Sequence, residues 1–312
     1  MKDWINHGRH GAPGSFMNHL VPKPRVISVW SVYSVVLALC PIIASAVAIR
    51  DGDYEGRAQF VVKTASAEYW LDKNAGGFSR LIDRDGHDWI SFHKEPLNKN
   101  PDSAAAGFRG MPNAVFGREN PDAGVGHPGF DKCESALVSS NVIRTVSKSG
   151  RWQWTWTFTE TAARLKIEKN DPERAYWFLY EGPPAGRFSP TNQFWGTDLG
   201  GPNLDVPNSG SQRFGKWRWA YFGDRSVLRV LAVAQVEADN IEDTFWYMGS
   251  SNGSAVTAPD GMVVFGFGRA AKSTPLFRER HEFVVSLIEG AVLDVTAHAR
   301  VAATIQSYLP AK

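Results

Sequence analysis

The sequence predicts an all-β fold, a large antiparallel β-sandwich with a C-terminal helix, on three observations. Polar and aromatic residues alternate without a slip over Arg151-Trp152-Gln153-Trp154-Thr155-Trp156-Thr157-Phe158, and again over Lys216-Trp217-Arg218-Trp219-Ala220-Tyr221. A period of two puts every ring on one face of a strand. Turn pairs (Gly76-Gly77, Asp85-Gly86, Ser149-Gly150, Asn252-Gly253, Asp260-Gly261) separate short runs of this kind, as hairpin turns do. Helical spacing is confined to the tail, which argues against βαβ units.

The elements follow in chain order. Residues 26–48 carry no charge, Lys23 and Arg25 precede them, and Ala44, Ser45, Ala46 and Ala48 form a small-residue exit after Pro41. Such a run is long enough to span a bilayer. Basic flank, broken apolar stretch and A-x-A exit instead predict a cleaved secretory signal over 1–48, cut near Ala46–Ala48. The protein is then secreted or periplasmic, without a stable membrane anchor. The n-region is long, and Met17 offers a second start. Leu39 is too large for the position before a lipidated Cys40.

Strands are expected at 59–63, 68–71, 78–82, 89–92, 135–146, 151–158 and 165–168. Others are expected at 176–180, 216–221, 227–236, 243–248, 262–267 and 282–288. After Asp294, a plausible N-cap, Val295, His298, Val301, Ala302, Ile305 and Leu309 fall at three- and four-residue spacing, which predicts one amphipathic helix against a sheet. No break in composition divides 49–312, so one sandwich domain is expected there. Segments 98–132 and 182–216 read as long loops rich in Gly, Pro and Asn, and loops of that length tend to be functional.

Composition bounds the function classes. With 43% hydrophobic and 21% charged residues and a net charge of +2, the chain is neither disordered nor a nucleic-acid binder, which needs a concentrated basic field. Cleavage after Ala48 leaves 264 residues with 30 basic against 31 acidic side chains. Cys133 is then the single cysteine, so neither an intramolecular disulfide nor a Cys-based metal site is available. His87 and His93 are expected to decorate a hairpin. No His-x-His, His-Glu-x-x-His or calcium-loop spacing is present. No metal and no cofactor is therefore expected, although a calcium ion on oxygen ligands needs no fixed spacing. Oligomeric state is not legible.

Two constellations can carry chemistry. The first loop holds Phe108-Arg109-Gly110-Met111-Pro112-Asn113 and Gly126-His127-Pro128-Gly129-Phe130-Asp131. Arg109 suits two-pronged binding of a carboxylate, Asn113 a shared hydrogen bond, and His127 acid–base work; taken singly, each equally suits a loop-pinning role. The second is the aromatic run Tyr176-Trp177-Phe178-Leu179-Tyr180-Glu181-Gly182, which delivers Glu181 at a strand end, with Trp195 and Asp198 farther on. Gly266-Phe267-Gly268-Arg269 matches half a nucleotide fingerprint, but no helix follows; Arg269 there can point into a cleft. The Trp-rich strands are expected to fill a core. Rings exposed beside the loops, Trp195 and Trp177, would stack on sugars.

The runs Tyr176-Trp177-Phe178-Leu179-Tyr180-Glu181-Gly182, Phe108-Arg109-Gly110-Met111-Pro112-Asn113 and His127-Pro128-Gly129 resemble an uncharacterised group of secreted bacterial proteins associated with polysaccharide degradation. The strand pattern is similar to the galactose-mutarotase-like supersandwich of sugar epimerases and several polysaccharide lyases. That resemblance implies a carbohydrate partner on a supersandwich-like fold.

The expected activity is a polysaccharide lyase cleaving a uronate-containing glycan by β-elimination. Arg109 and Asn113 would neutralise the carboxylate, His127 and Tyr180 would act as base and acid, and Glu181 would orient a neighbour. Trp195, Trp177, Asp198, Arg269 and His93 would bind the polysaccharide or oligosaccharide. The alternatives are a glycoside hydrolase using Glu181 with Asp198, whose separation would set its stereochemistry, and a glycan-binding protein without turnover.

Overall fold

A computed structural model describes residues 47–95, 108–117, 119–204, 212–248 and 260–311. The predicted leader lies outside the described residues except for Val47 and Ala48, as does the turn Asn252-Gly253. Among the described residues no helix is long and apolar enough to cross a membrane.

Among the described residues the fold is all-β with a C-terminal α-helix. The strands are β1 (Ala48–Tyr54), β2 (Arg57–Lys63), β3 (Ala67–Asp72), β4 (Phe78–Asp83), β5 (Cys133–Ser139), β6 (Val142–Ser147) and β7 (Gln153–Phe158). They continue with β8 (Ala163–Lys169), β9 (Phe178–Gly182), β10 (Gln193–Thr197), β11 (Gly200–Asn203), β12 (Gln212–Gly215) and β13 (Trp219–Asp224). The last are β14 (Arg229–Gln235), β15 (Asp243–Met248), β16 (Met262–Phe267), β17 (Arg269–Ala270), β18 (Thr274–Pro275) and β19 (Glu282–Glu289), followed by α1 (Val295–Ser307). All strand pairs are antiparallel, as short turn-linked strands require.

A nine-stranded sheet, in the order β11-β10-β13-β14-β19-β8-β7-β6-β5, is the backbone of the molecule. Two four-stranded sheets, β1-β2-β3-β4 and β12-β15-β16-β9, cover one face. The alternating rings of β7 all enter that core: Trp154 and Trp156 are 1% and 0% exposed, and Trp156 lies 4.3 Å from Phe78 of β4. Helix α1 packs on the other face, where Ala297, Val301 and Ile305 meet Phe194, Tyr221 and Val230. Its predicted N-cap holds, for Asp294 Oδ1 accepts from the N–H of Ala297 at 2.7 Å. Val295 departs from the expected stripe and faces solvent.

Four expectations are corrected. The run 135–146 is not one strand but a hairpin, with β5 and β6 pairing across a turn at Ser140–Asn141. Residues 89–92 are not a strand: Ser91 has φ of 53° and the chain bends there, although Trp89 and Phe92 are buried. The run 216–221 does not sit on one face. The strand begins only at Trp219, so Trp217 packs into the main core and Trp219 and Tyr221 into the helix-covered one. The second predicted loop, 182–216, contains β10, β11 and β12, short strands whose Gly and Pro content hid them.

Candidate functional site

The sheet β12-β15-β16-β9 turns Phe178, Tyr180, Phe245 and Phe265 into the main core. Alternation therefore sends Trp177, Leu179, Glu181, Val264, Met262, Trp246 and Met248 to the opposite face. Register aligns Glu181 with Val264, and Val264 with Trp246, in one cross-strand row. This face floors a cavity of about 220 Å³, walled by Phe108, Phe116 and His127 on one side and by Arg269 and Ser273 on the other.

The first wall is built by the segment from Phe108 onward, which runs as an extra partial strand along the edge of β9. Gly110 and Glu181 exchange both backbone hydrogen bonds, at 2.9 and 3.0 Å, and Leu179 N–H donates to Pro112 O at 2.7 Å. Met111–Pro112 is cis, and Asn113 has φ of 45°. The Asn113 side-chain amide turns back and donates to Glu181 Oε2 at 2.6 Å and to Phe108 O at 2.7 Å, while the backbone carbonyl of Asn113 accepts from Trp177 Nε1 at 2.6 Å. Asn113 thus fixes both Glu181 and Trp177.

Electrostatics follow from burial. Burial pushes the Glu181 carboxyl from its ordinary 4.5 up to about 8, against the opposing pulls of Arg269 and Asn113. With Asn113 on Oε2, a proton on this carboxyl resides on Oε1. Burial pulls His127 down to about 4, with a smaller opposing pull from the backbone of Val115 and Asn113. Near pH 7 the imidazole is neutral; among the described residues neither ring nitrogen makes a well-formed hydrogen bond, although the Val115 and Asn113 carbonyls lie near enough to act on it. It sits edge-on to Phe108 and Phe130, at 6.4 and 5.6 Å.

Arg269 closes the far side. One nitrogen, Nη2, donates to Ser273 Oγ at 2.8 Å, and the guanidinium lies 5.8 and 5.9 Å from the rings of Trp177 and Trp246. Its Nε and Nη1 are buried without a hydrogen-bond partner among the described residues. Burial lowers its pKa from the ordinary guanidinium value, and the charge of Glu181 opposes this. The half-fingerprint Gly266-Phe267-Gly268-Arg269 has a steric purpose. A Cβ on Gly266 would lie 2.9 Å from Leu179 and 3.0 Å from the Cβ of Arg269, so the glycine lets Arg269 fold over the sheet. Gly268, at φ of 70°, makes the turn that sends it there.

Asn113, His127, Trp177, Glu181 and Arg269 therefore meet at one site. Five other candidates lie elsewhere. Tyr180 is fully buried on the core side of β9, donates to Trp89 O at 2.8 Å, and is raised well above its ordinary pKa by burial; it cannot be the acid of this cavity. The Arg109 guanidinium donates to Ser91 O at 3.1 Å and Gly261 O at 2.7 Å, bracing two chain segments. Trp195 packs against Trp217 and Phe245 at the core margin. Asp198 is exposed and accepts from the N–H of Arg218, and His93 pairs with Glu55. Trp246, Phe108 and Phe116 were missed. The 243–248 strand does carry Trp246 on the face opposite Phe245, but only pairing with β16 shows which face is open.

A larger hollow of about 430 Å³ beside β2 and β4 lacks comparable chemistry. Its one buried acid, Asp83, accepts from Trp89 Nε1 at 3.1 Å and from the backbone of Asp85 and His87. Asp83, Asp85 and His87 bring possible ligand atoms within 4.8 Å of one another. Those bonds, and the pairing of Asp85 with Arg229, account for the arrangement.

No family model and no curated protein matches the chain. Solved structures do. The chain is similar to HI1317 over 77% of its own length and 96% of that chain, at 12% identity and a TM-score of 0.51. It is similar to a putative mutarotase (YeaD) from Salmonella typhimurium over 80% and 98%, at 11% identity and 0.48. A mutant of heparan sulfate lyase HepC from Pedobacter heparinus matches over 80% and 36%, at 9% identity and 0.43. At these identities the likeness is one of fold alone.

Proposed function

We propose that the protein binds a carboxylate-bearing sugar unit over the Trp177–Trp246 face and acts on it by proton transfer between Glu181 and His127. The reaction proposed is β-elimination in a uronate-containing glycan. The observation that carries the reading is Arg269: a buried cation with two nitrogens that have no hydrogen-bond partner among the described residues, beside a carboxyl that burial pushes up to about 8. A buried charge without a partner is costly. A uronate carboxylate would supply the partner in the two-pronged geometry a guanidinium favours.

Elimination needs that carboxylate neutralised, a base for the ring proton alpha to it, and an acid for the leaving oxygen. Arg269 takes the first role in place of Arg109. Neutral His127 accepts the ring proton, the C–H electron pair forms the new C=C bond, and the C–O bond to the next sugar breaks. The departing oxygen takes its proton from Glu181, in place of Tyr180. Water then returns the proton balance. Hydrolysis by paired carboxylates is less well supported, because Glu181 is the only carboxylate lining the cavity among the described residues. An exported location through the 1–48 leader fits a polysaccharide substrate.

The test is a panel of uronate-containing polysaccharides, followed by the ultraviolet absorbance of the conjugated double bond. Unsaturated product from wild type, lost in Glu181→Gln and in His127→Ala, is expected. Reducing ends without unsaturation would replace elimination by hydrolysis; affinity without any product would reduce the protein to a glycan binder.

A further inference from the structure

Arg269 reaches the cavity by a turn whose anchors come from one neighbouring strand. Asp243, at the start of β15 and 1% exposed, accepts from the N–H of Gly268 through Oδ1 at 2.7 Å. The backbone N–H of Arg269 lies alongside the same carboxyl and stabilises its charge. The next residue, Thr244, donates its hydroxyl to Arg269 O at 2.9 Å. Both carriers are buried, and neither lines the cavity.

We infer that Asp243 and Thr244 are positioning residues for Arg269, clamping the backbone of Gly268 and Arg269 so that the guanidinium is held over Trp177 and Trp246. The geometry explains why a carboxyl is buried there at all, since a buried acid without an assigned partner is destabilising. It also explains the left-handed Gly268, whose N–H is turned inward to meet Asp243. Burial pushes the Asp243 carboxyl up to about 8. Below that pH it is a neutral acid, whose acceptor oxygen Asn reproduces. Among the described residues, the charged group that acts on it from outside the turn is Asp239.

The inference rests on the reading that Arg269 holds the ligand's carboxylate, so its test has two separate readouts. The first is ligand-free: ¹⁵N relaxation of the Arg269 Nε–H, identified by its loss in Arg269→Lys. The second is titration with D-glucuronate and with neutral D-glucose, followed by tryptophan fluorescence. In Asp243→Ala and Thr244→Val the Nε–H is expected to lose order, and glucuronate affinity to fall by about tenfold, the effect of one hydrogen bond in fixing a contact. Glucose binding should be unchanged, and Asp243→Asn should restore both readouts toward wild type. Thr244→Val carries the test if Asp243→Ala does not fold. An Nε–H as ordered in the folded variants as in wild type would overturn the clamp. Loss of order with no glucuronate binding in wild type would uphold the clamp and overturn the proposed ligand.

Discussion

Tyr180 and Glu181 are neighbours in sequence with opposite surroundings. Strand alternation sends the phenol to the core and the carboxyl to the cavity, so only one of them can meet a substrate. Tyr180→Phe is expected to keep turnover while lowering stability by about 1 kcal/mol, because the buried Trp89 carbonyl loses its donor; kcat and Tm together check this. Glu181→Gln is expected to lower kcat at least a hundredfold, the lower end for a general acid. The acid must be protonated and His127 unprotonated. Activity should therefore hold from about pH 4 to about pH 8 and fall as pH rises through 8, read from the pH profile of kcat/KM. A profile with no fall as pH rises through 8 would remove Glu181 as the acid.

At the scale of elements, the turn after β16 is the most constrained piece. Gly268→Ala places a Cβ 2.5 Å from the Phe277 ring at φ of 70°. It is expected to cost about 1–3 kcal/mol and a Tm drop of several degrees, and to weaken uronate binding through Arg269. By contrast Asp294→Ala, which removes the helix N-cap on the far face, should cost about 1 kcal/mol and leave binding unchanged. Thermal melts alongside affinities separate the two. The segment paired to the edge of β9 was legible in sequence as the carrier of Arg109 and Asn113. Its extended path was not, because its pairing partner lies far away in the chain. Composition hid β10 and β11, because Gly196, Gly200, Gly201 and Pro202 made their residues read as loop although the two strands pair across a short turn.

For the whole molecule, the buried groups set a pH dependence of stability. Glu181 and Asp243 have folded pKa values raised to about 8, so the folded state keeps protons the unfolded chain has lost. Their contribution falls as pH rises through this window and is constant above about 8. His127 is lowered to about 4 from 6.5, so its contribution falls as pH drops below 6.5. Between pH 6.5 and 8 the two carboxyls dominate, and stability should decline by an amount on the order of 1.4 kcal/mol per pH unit for each. Glu181→Gln is expected to remove about half of that slope, measured as denaturation midpoints across the window. An unchanged slope would show that Glu181 is not the group titrating there.

The sequence by itself determined the fold class, most of the strands, the capped terminal helix and the core rings of β7. All of these rest on local periodicity and turn chemistry, which a strand carries wherever it is placed. It also pointed to Glu181, Asn113 and His127 as residues of possible chemistry. Only the tertiary structure decided which of them meet, that Arg269 and not Arg109 lines the cavity beside Glu181, and that Tyr180 and Trp195 pack into or beside the core. Those outcomes depend on register between strands distant in the chain and on which sheet face is left uncovered. Neither quantity is encoded in the spacing of residues along one segment.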